Sequence, residues 1–363
     1  MKAPFGSFFL MKQFDYIIVG QGLAGTVLSF RLQQLGKTVL VIDKHRELTS
    51  SKIAPGAYNP MVLKRFTPCW MVEKQLDPLY TFIREFEEKF KLTIHEPIKL
   101  HRLFKSVQEQ NLWMEKSEKK SLAAFMNPSF IPNTNQFIDA TFGYGEVNHS
   151  GRVRLGAMIA AFRTHLLFEN ALIDEDFDFS RLSYTNDSVT YKSFTASKII
   201  FCEGHRLSLN PLFNYLPLMR TKGELLTVRI KGLNLKEHLK SSVSILPLGD
   251  DLYKVGATFN WDEKDELCTE NAKSDLLARL SSFVNMPVEL VNHEAGLRPT
   301  VKDRRALIGQ HPVHKSLFVF NGLGARGLLI SPLLSLEFAS YLEHRTSLNT
   351  EVNINRYQDL YPC

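Results

Sequence analysis

The chain has 363 residues, 44% of them hydrophobic and 23% charged, with a formal net charge of +6. That composition is the one expected of a soluble globular protein long enough for two domains. It excludes a membrane helix, because no apolar run reaches the ~18 residues required, and the four cysteines (Cys69, Cys202, Cys268, Cys363) lack the paired spacing of a disulfide framework.

Residues 1–10 are too short and too uncharged for a secretory signal; they read either as a leader or as sequence upstream of a true start at Met11. Residues 15–43 follow as strand, glycine-rich turn, helix, strand and terminal carboxylate. The apolar run Y-I-I-V suits a strand buried on both faces. In the turn, Gly20 makes the tight bend, Gly22 lets backbone N–H groups approach a pyrophosphate, and Gly25 lets the helix pack closely on the strand. The helix N-terminus offers unpaired donors and the positive end of a dipole to phosphates. Asp43 ends the second strand, where a carboxylate accepts hydrogen bonds from a ribose diol. With strand, helix and acid in register, the stretch is read as a dinucleotide site.

Residues 49–60 read as a loop near the ligand, and residues 73–91 as a helix with Leu76, Leu79, Phe82, Ile83, Phe86 and Phe90 on one face. The segment 92–142, broken by three prolines, mixes short strands with loops as an insertion does. Residues 147–167 return to helix after a turn; 171–179 and 189–194 are strand candidates, and K-I-I-F-C-E-G at 198–204 is a buried strand ending in glycine. Alternation of apolar and polar residues over 218–256 predicts antiparallel strands. A helix is expected over 273–283, a strand over 317–320, and a last helix from about 328 to 343. The scattered lysines and arginines permit an anionic cofactor or an RNA partner without demanding either. Thiols without pairing spacing favour a reducing cytoplasm.

A second constellation reads H-E-A-G-L-R-P-T-V-K-D-R-R-A-L-I-G at 293–309 and L-F-V-F-N-G-L-G-A-R-G-L-L-I-S-P at 317–332. Together with 15–43 and K-I-I-F-C-E-G it resembles the D-amino-acid oxidase family of FAD-dependent oxidoreductases, which includes glycine and sarcosine oxidases. The resemblance covers nearly the whole chain. It implies an α/β fold: a Rossmann-like FAD-binding domain from 11–91, 143–217 and 298–363, with an inserted antiparallel-sheet substrate domain from 92–142 and 218–297. It also implies that Gly20, Gly22, Gly25 and Asp43 hold the pyrophosphate and ribose, with Lys44 near the adenosine. Ser51 and Gly56 would approach the pyrophosphate and flavin, Gly204 would lie beneath the cofactor, and Phe177 would meet the adenine. The loop carrying Gly324, Ala325, Arg326, Gly327 and Leu328 would aim N–H groups at the pyrimidine edge of the flavin, where negative charge collects on reduction. Arg298, in G-L-R-P, would grip the substrate carboxylate with both arms of its planar fork.

The chain departs from the family in two respects. Ser244 or Ile245 stands where several members present an active-site tyrosine, and no cysteine is placed for covalent attachment, so noncovalent FAD is expected. His205, His293 and His311 are not at metal-ligand spacing and read as loop or packing residues. The implied reaction oxidises the C–N bond of an amino acid or N-substituted glycine-like amine by hydride transfer to flavin N5, with the electron acceptor left open. Two alternatives stand beside it: an FAD oxidoreductase modifying the wobble uridine of tRNA, and a flavin-binding assembly protein without turnover.

Overall fold

The computed structural model describes residues 11–362; the leader question in residues 1–10 and Cys363 lie outside the described residues. Four parallel strands make the centre of the first sheet, in the order Leu172–Ile173, Val39–Ile42 (β2), Lys12–Val19 (β1) and Phe194–Phe201. Leu317–Asn321 adds in parallel to Phe194–Phe201, and Val189–Tyr191, Leu182–Tyr184 and Leu307–Gln310 extend the sheet antiparallel. Because both faces are covered, the buried runs of the central strands, residues 16–19, 39–42 and 199–201, are apolar at successive positions. Tyr16 and Ile18 of β1 join the helix-side core, while Ile17 and Val19 join an aromatic layer with Phe201 and Phe213 on the other side.

Helix Leu23–Gln34 (α1) is buried from Ala24 to Leu32. Its apolar character all round follows from its position against helices Leu155–Phe168 and Gly327–His344. The only charge within it, Arg31, reaches Glu85 of helix Val72–Phe90 at 3.5 Å.

A second eight-stranded sheet runs Glu289–Val301, Leu218–Arg229, Leu252–Gly256, Ser244–Gly249, His238–Lys240, Leu100–Leu103, Tyr144–Val147, Met126–Ile131. All its pairs are antiparallel except His238–Lys240 with Leu100–Leu103. Leu226, Val228, Ile245 and Val255 pack with Leu276 and Leu280 of helix Glu270–Ser281 on one face, each fully buried leucine stabilising the fold by about 1.5–3 kcal/mol. The alternate residues line a cavity against the first sheet. The architecture is therefore the mixed α/β arrangement with an antiparallel sheet expected above.

Local differences have physical causes. Residues 49–60 are not all loop: Ser50–Ile53 form a helical turn capped by Thr49, whose Oγ1 accepts from Lys52 N, and Ala57–Tyr58 pairs with a strand Gly151–Val153 that the periodicity of 147–167 concealed. Of 171–179 only Leu172–Ile173 is strand, because the chain leaves the sheet where Asp174 accepts the His45 N–H at 2.8 Å. The helix expected over 273–283 is Glu270–Ser281, begun three residues earlier by the Thr269 cap. Segment 92–142 includes a helix, Val107–Ser117, anchored by buried Trp113. Strand Tyr144–Val147 belongs to the second sheet, although the expected division put it with the first.

Candidate cofactor and substrate site

The turn after β1 is shaped by close backbone contacts. Gly20 has φ +99° and donates its N–H to Ile42 O at 2.9 Å. A Cβ on Gly25 would lie 1.9 Å from Gly20 O, so α1 approaches β1 as only glycine permits. No side chain of α1 caps its own N-terminus. Instead Ser51, from the turn 50–53, accepts the Leu23 N–H at 3.0 Å, which holds that segment against the helix end. The arrangement leaves a helix N-terminus open to an anion.

Beside it, Asp43 accepts from Gln21 N at 2.9 Å and from Arg163 Nη1 at 3.0 Å. Burial pushes its carboxyl above the ordinary range, against the pull of the Gln21 N–H and the Arg163 charge. A carboxylate has about four acceptor positions, so two partners leave room for a ribose diol. Arg163 also donates to Gln21 Oε1 at 3.0 Å and to Asp174 Oδ2 at 3.1 Å. It locks strand end, turn and acid into one unit, a role missed from the sequence. The available signal was a lone guanidinium in the apolar run L-G-A-M-I-A-A-F-R.

A cavity of about 890 Å³ joins this unit to the second sheet. Gly20, Gly22, Asp43, Lys44, Ser51, Gly56, Phe177, Gly204, Arg298, Gly324, Ala325, Gly327 and Leu328 all line it. Gly25 lies beneath the turn and does not. The Arg326 side chain does not line it either: it donates to Met61 O at 3.1 Å and to the Cys69 sulfur, so it is committed to the neighbouring segment rather than free for a ligand. Lys44 sits 3.9 Å from Asp174, and the Phe177 ring stacks on Tyr191 at 4.6 Å. The turn Gly324–Arg326 leads straight into helix Gly327–His344, which has no side-chain cap. Its first N–H groups are therefore available to negative charge in the cavity.

Arg298, on strand Glu289–Val301, folds over Gly223 of the adjacent strand; a Cβ there would stand 2.1 Å from the guanidinium. Its Nη1 donates only to two backbone carbonyls, Lys222 O at 3.4 Å and Thr258 O at 3.3 Å, and the group lies 5.3 Å from the Phe259 ring. No carboxylate pairs with it among the described residues, and burial lowers its pKa. A recessed cation left without an anion is energetically costly, and an entering carboxylate would relieve that cost. By contrast Lys254, in the same cavity, is ion-paired with Glu294.

Of the histidines, His205 lines the cavity, and His311 is buried, accepts from Val313 N and His314 N at 3.2 Å, and is held neutral by burial with a pKa of about 4. His293 needs amendment as a loop or packing residue. On the other face of the sheet its Nε2 lies 2.9 Å from Glu224, and Cys268 donates to its carbonyl at 3.2 Å. Glu224 also accepts from Thr269 N and Oγ1.

Glu203 is a further unanticipated cavity residue. Burial raises its pKa to about 7, opposed only by the Asn210 amide at 2.6 Å and the charge of Arg206. A carboxyl whose folded pKa is raised contributes stability below the ordinary carboxylate range and loses it as pH rises through about 7. The Glu203→Gln variant is therefore expected to gain stability relative to the wild type across that window, measured by thermal unfolding of the flavin-free protein. A difference that does not change with pH would show that the carboxyl is not held neutral.

Comparison with known proteins agrees with this geometry. The family model described as FAD dependent oxidoreductase matches residues 15–341. A glycine oxidase of Geobacillus kaustophilus is 24% identical over 372 aligned residues, covering 93% of this chain and 94% of its own. The crystal structure of glycine oxidase from Geobacillus kaustophilus superposes with a TM-score of 0.78 at 18% identity, covering 95% of this chain and 98% of that one. An iminodiacetate oxidase from Chelativorans sp. BNC1 gives 0.77 at 17%, covering 94% and 98%. No helix among the described residues is long and apolar enough to cross a membrane.

Proposed function

Because the chain belongs to the family of FAD-dependent oxidoreductases, we propose that it oxidises the C–N bond of a small amino acid or N-substituted glycine, with Arg298 as the carboxylate anchor. The observation that carries this reading is the unpaired, recessed Arg298 guanidinium in the same cavity as the dinucleotide turn. FAD, when bound, supplies a hydride acceptor at its N5.

The residues present suit that cofactor. The backbone around Gly22 and the Ser51-braced helix end would hold the pyrophosphate, Asp43 the ribose, and the N–H groups from Gly324 to Leu328 the electron-rich edge of the ring. Arg298 would fix the substrate by its carboxylate and so set the position of its α-carbon. Cys202 is the one described cysteine that lines the cavity. It sits against Gly25, at the turn, with burial holding its thiol protonated, which supports noncovalent binding. The free thiols Cys69, Cys202 and Cys268 support a cytoplasmic location.

Exposed charges lining the cavity are of both signs, Lys44 and Arg206 beside Asp176 and Glu266, rather than one basic stripe. That favours a small amine over tRNA. The test is anaerobic bleaching of the flavin by glycine, N-methylglycine, D-amino acids and proline. Rapid bleaching by at least one is expected, and bleaching by none would sink the amino-acid reading.

A further inference from the structure

Lys240 is a second cation in the cavity that nothing neutralises. It ends strand His238–Lys240 and lines the same cavity as Arg298. None of the described residues offers its ammonium a carboxylate or hydrogen-bond acceptor, and the charges that act on it, Arg102 and Arg279, are both positive.

Its direction follows from sheet register. Lys240 pairs with Ser244, Ser244 with Gly256, and Gly256 with Leu225. Directly opposed residues share a face, so Lys240 projects to the side of Leu225 and of Gly223, over which the Arg298 guanidinium lies. From Leu225 to Lys240 there are three strand spacings of ~4.8 Å, and Gly223 lies two residues, or ~7 Å, further along its strand; the side chains of Lys240 and Arg298 cover part of that separation of roughly 16 Å. Between them Ser244 is short, and its hydroxyl is bonded to a neutral His238 whose pKa burial lowers to about 3. A larger side chain at Ser244 would screen Lys240 from the cavity. The paired Lys254 lacks this freedom because Glu294 neutralises it.

We propose that the cavity contains a second anion subsite centred on Lys240, and that the preferred substrate is an amine with two acidic groups. One is the carboxylate held by Arg298, the other a second acid on the nitrogen substituent or side chain. The proposal rests on the amine-oxidising reading above and adds the substrate class to it. Both cations then gain the counter-charge that each lacks, and a charge-assisted hydrogen bond of this kind is worth on the order of a tenfold to hundredfold in affinity.

The test uses the full-length FAD-loaded protein and two matched series. One comprises iminodiacetate, N-(2-carboxyethyl)glycine and N-(3-carboxypropyl)glycine. The other comprises N-methyl-, N-ethyl- and N-propylglycine. Anaerobic flavin reduction gives KM, and perturbation of the flavin spectrum by inert straight-chain diacids and their monoacid counterparts gives Kd without turnover. The expected result is a preference for a diacid of one length over its alkyl partner, collapsing by roughly tenfold or more in Lys240→Met, with the same collapse in the Kd ratio. A preference that is absent, or that survives Lys240→Met, overturns the subsite while leaving the amine reading in place. If neither series reduces the flavin and glycine, D-amino acids and proline fail as well, the amine reading falls and the subsite with it. Thermal unfolding of Lys240→Met separates misfolding from lost recognition, since removing an unneutralised cation should not lower stability.

Discussion

Replacing Arg298 by methionine is expected to raise KM for a carboxylate substrate by about a hundredfold or more, corresponding to about 3 kcal/mol. The guanidinium is recessed, donates only two long hydrogen bonds to backbone carbonyls, and has no acid beside it among the described residues; with it removed, the substrate acid finds no partner there. Most of the guanidinium donors are therefore committed to nothing until a carboxylate enters. Methionine matches the stem in length but offers no donor, so the substrate acid would be desolvated without a partner. The same substitution should leave the unfolding temperature equal or higher, because an uncompensated buried charge is removed. Arg298→Lys should recover part of the loss, limited by a point charge that cannot engage both oxygens in one plane. Steady-state kinetics with a carboxylate substrate and with its amide decide the matter. An unchanged KM for the acid would remove Arg298 from this role, and an equal loss for the amide would indicate damage to the cavity rather than to anion recognition.

Gly25→Ala is expected to abolish FAD retention. The added methyl would stand 1.9 Å from Gly20 O and 3.5 Å from the Cys202 side chain, so α1 and the turn must separate. Backbone cannot rotate aside as a side chain can. Overpacking of this kind costs about 1–3 kcal/mol in stability, and it displaces the N–H groups that would meet the pyrophosphate. The protein should therefore purify with little flavin and reconstitute poorly, as read from the ratio of flavin to protein absorbance. Gly156→Ala serves as the opposite control. That glycine lies in helix Leu155–Phe168 with nothing within 4 Å of its missing Cβ, so alanine should add about 0.5–1 kcal/mol with flavin content intact. Full flavin content in Gly25→Ala would mean that the close approach is dispensable.

The backbone frame of the proposed cofactor half was legible in the primary structure because its requirements are local. A strand, a turn, a helix N-terminus and a strand-end acid lie within 29 consecutive positions of the chain, from Asp15 to Asp43, and each is dictated by residue type. The same holds for the last helix, which begins at Gly327 after a glycine-rich turn. Arg163 illustrates the opposite case. It meets Asp43 from 120 positions away, and the lone guanidinium in its apolar helix marks a buried partner without saying which one. Arg326 shows the same limit from the other side: it sits inside a glycine loop suited to a ligand, yet its guanidinium is taken up by Met61 and Cys69.

Read alone, the residue order determined the glycine-rich turn between strand and helix and the mixed α/β class with its antiparallel sheet, while the family resemblance singled out Arg298 as the residue to watch. The tertiary structure decided what surrounds them. It left Arg298 and Lys240 unpaired in one cavity while neutralising Lys254, and it buried Glu203 beside the turn. The reason is physical. Backbone geometry and helix-end donors are set by neighbours in the chain, whereas a side chain's burial and counter-charge are set by strands brought together from distant segments.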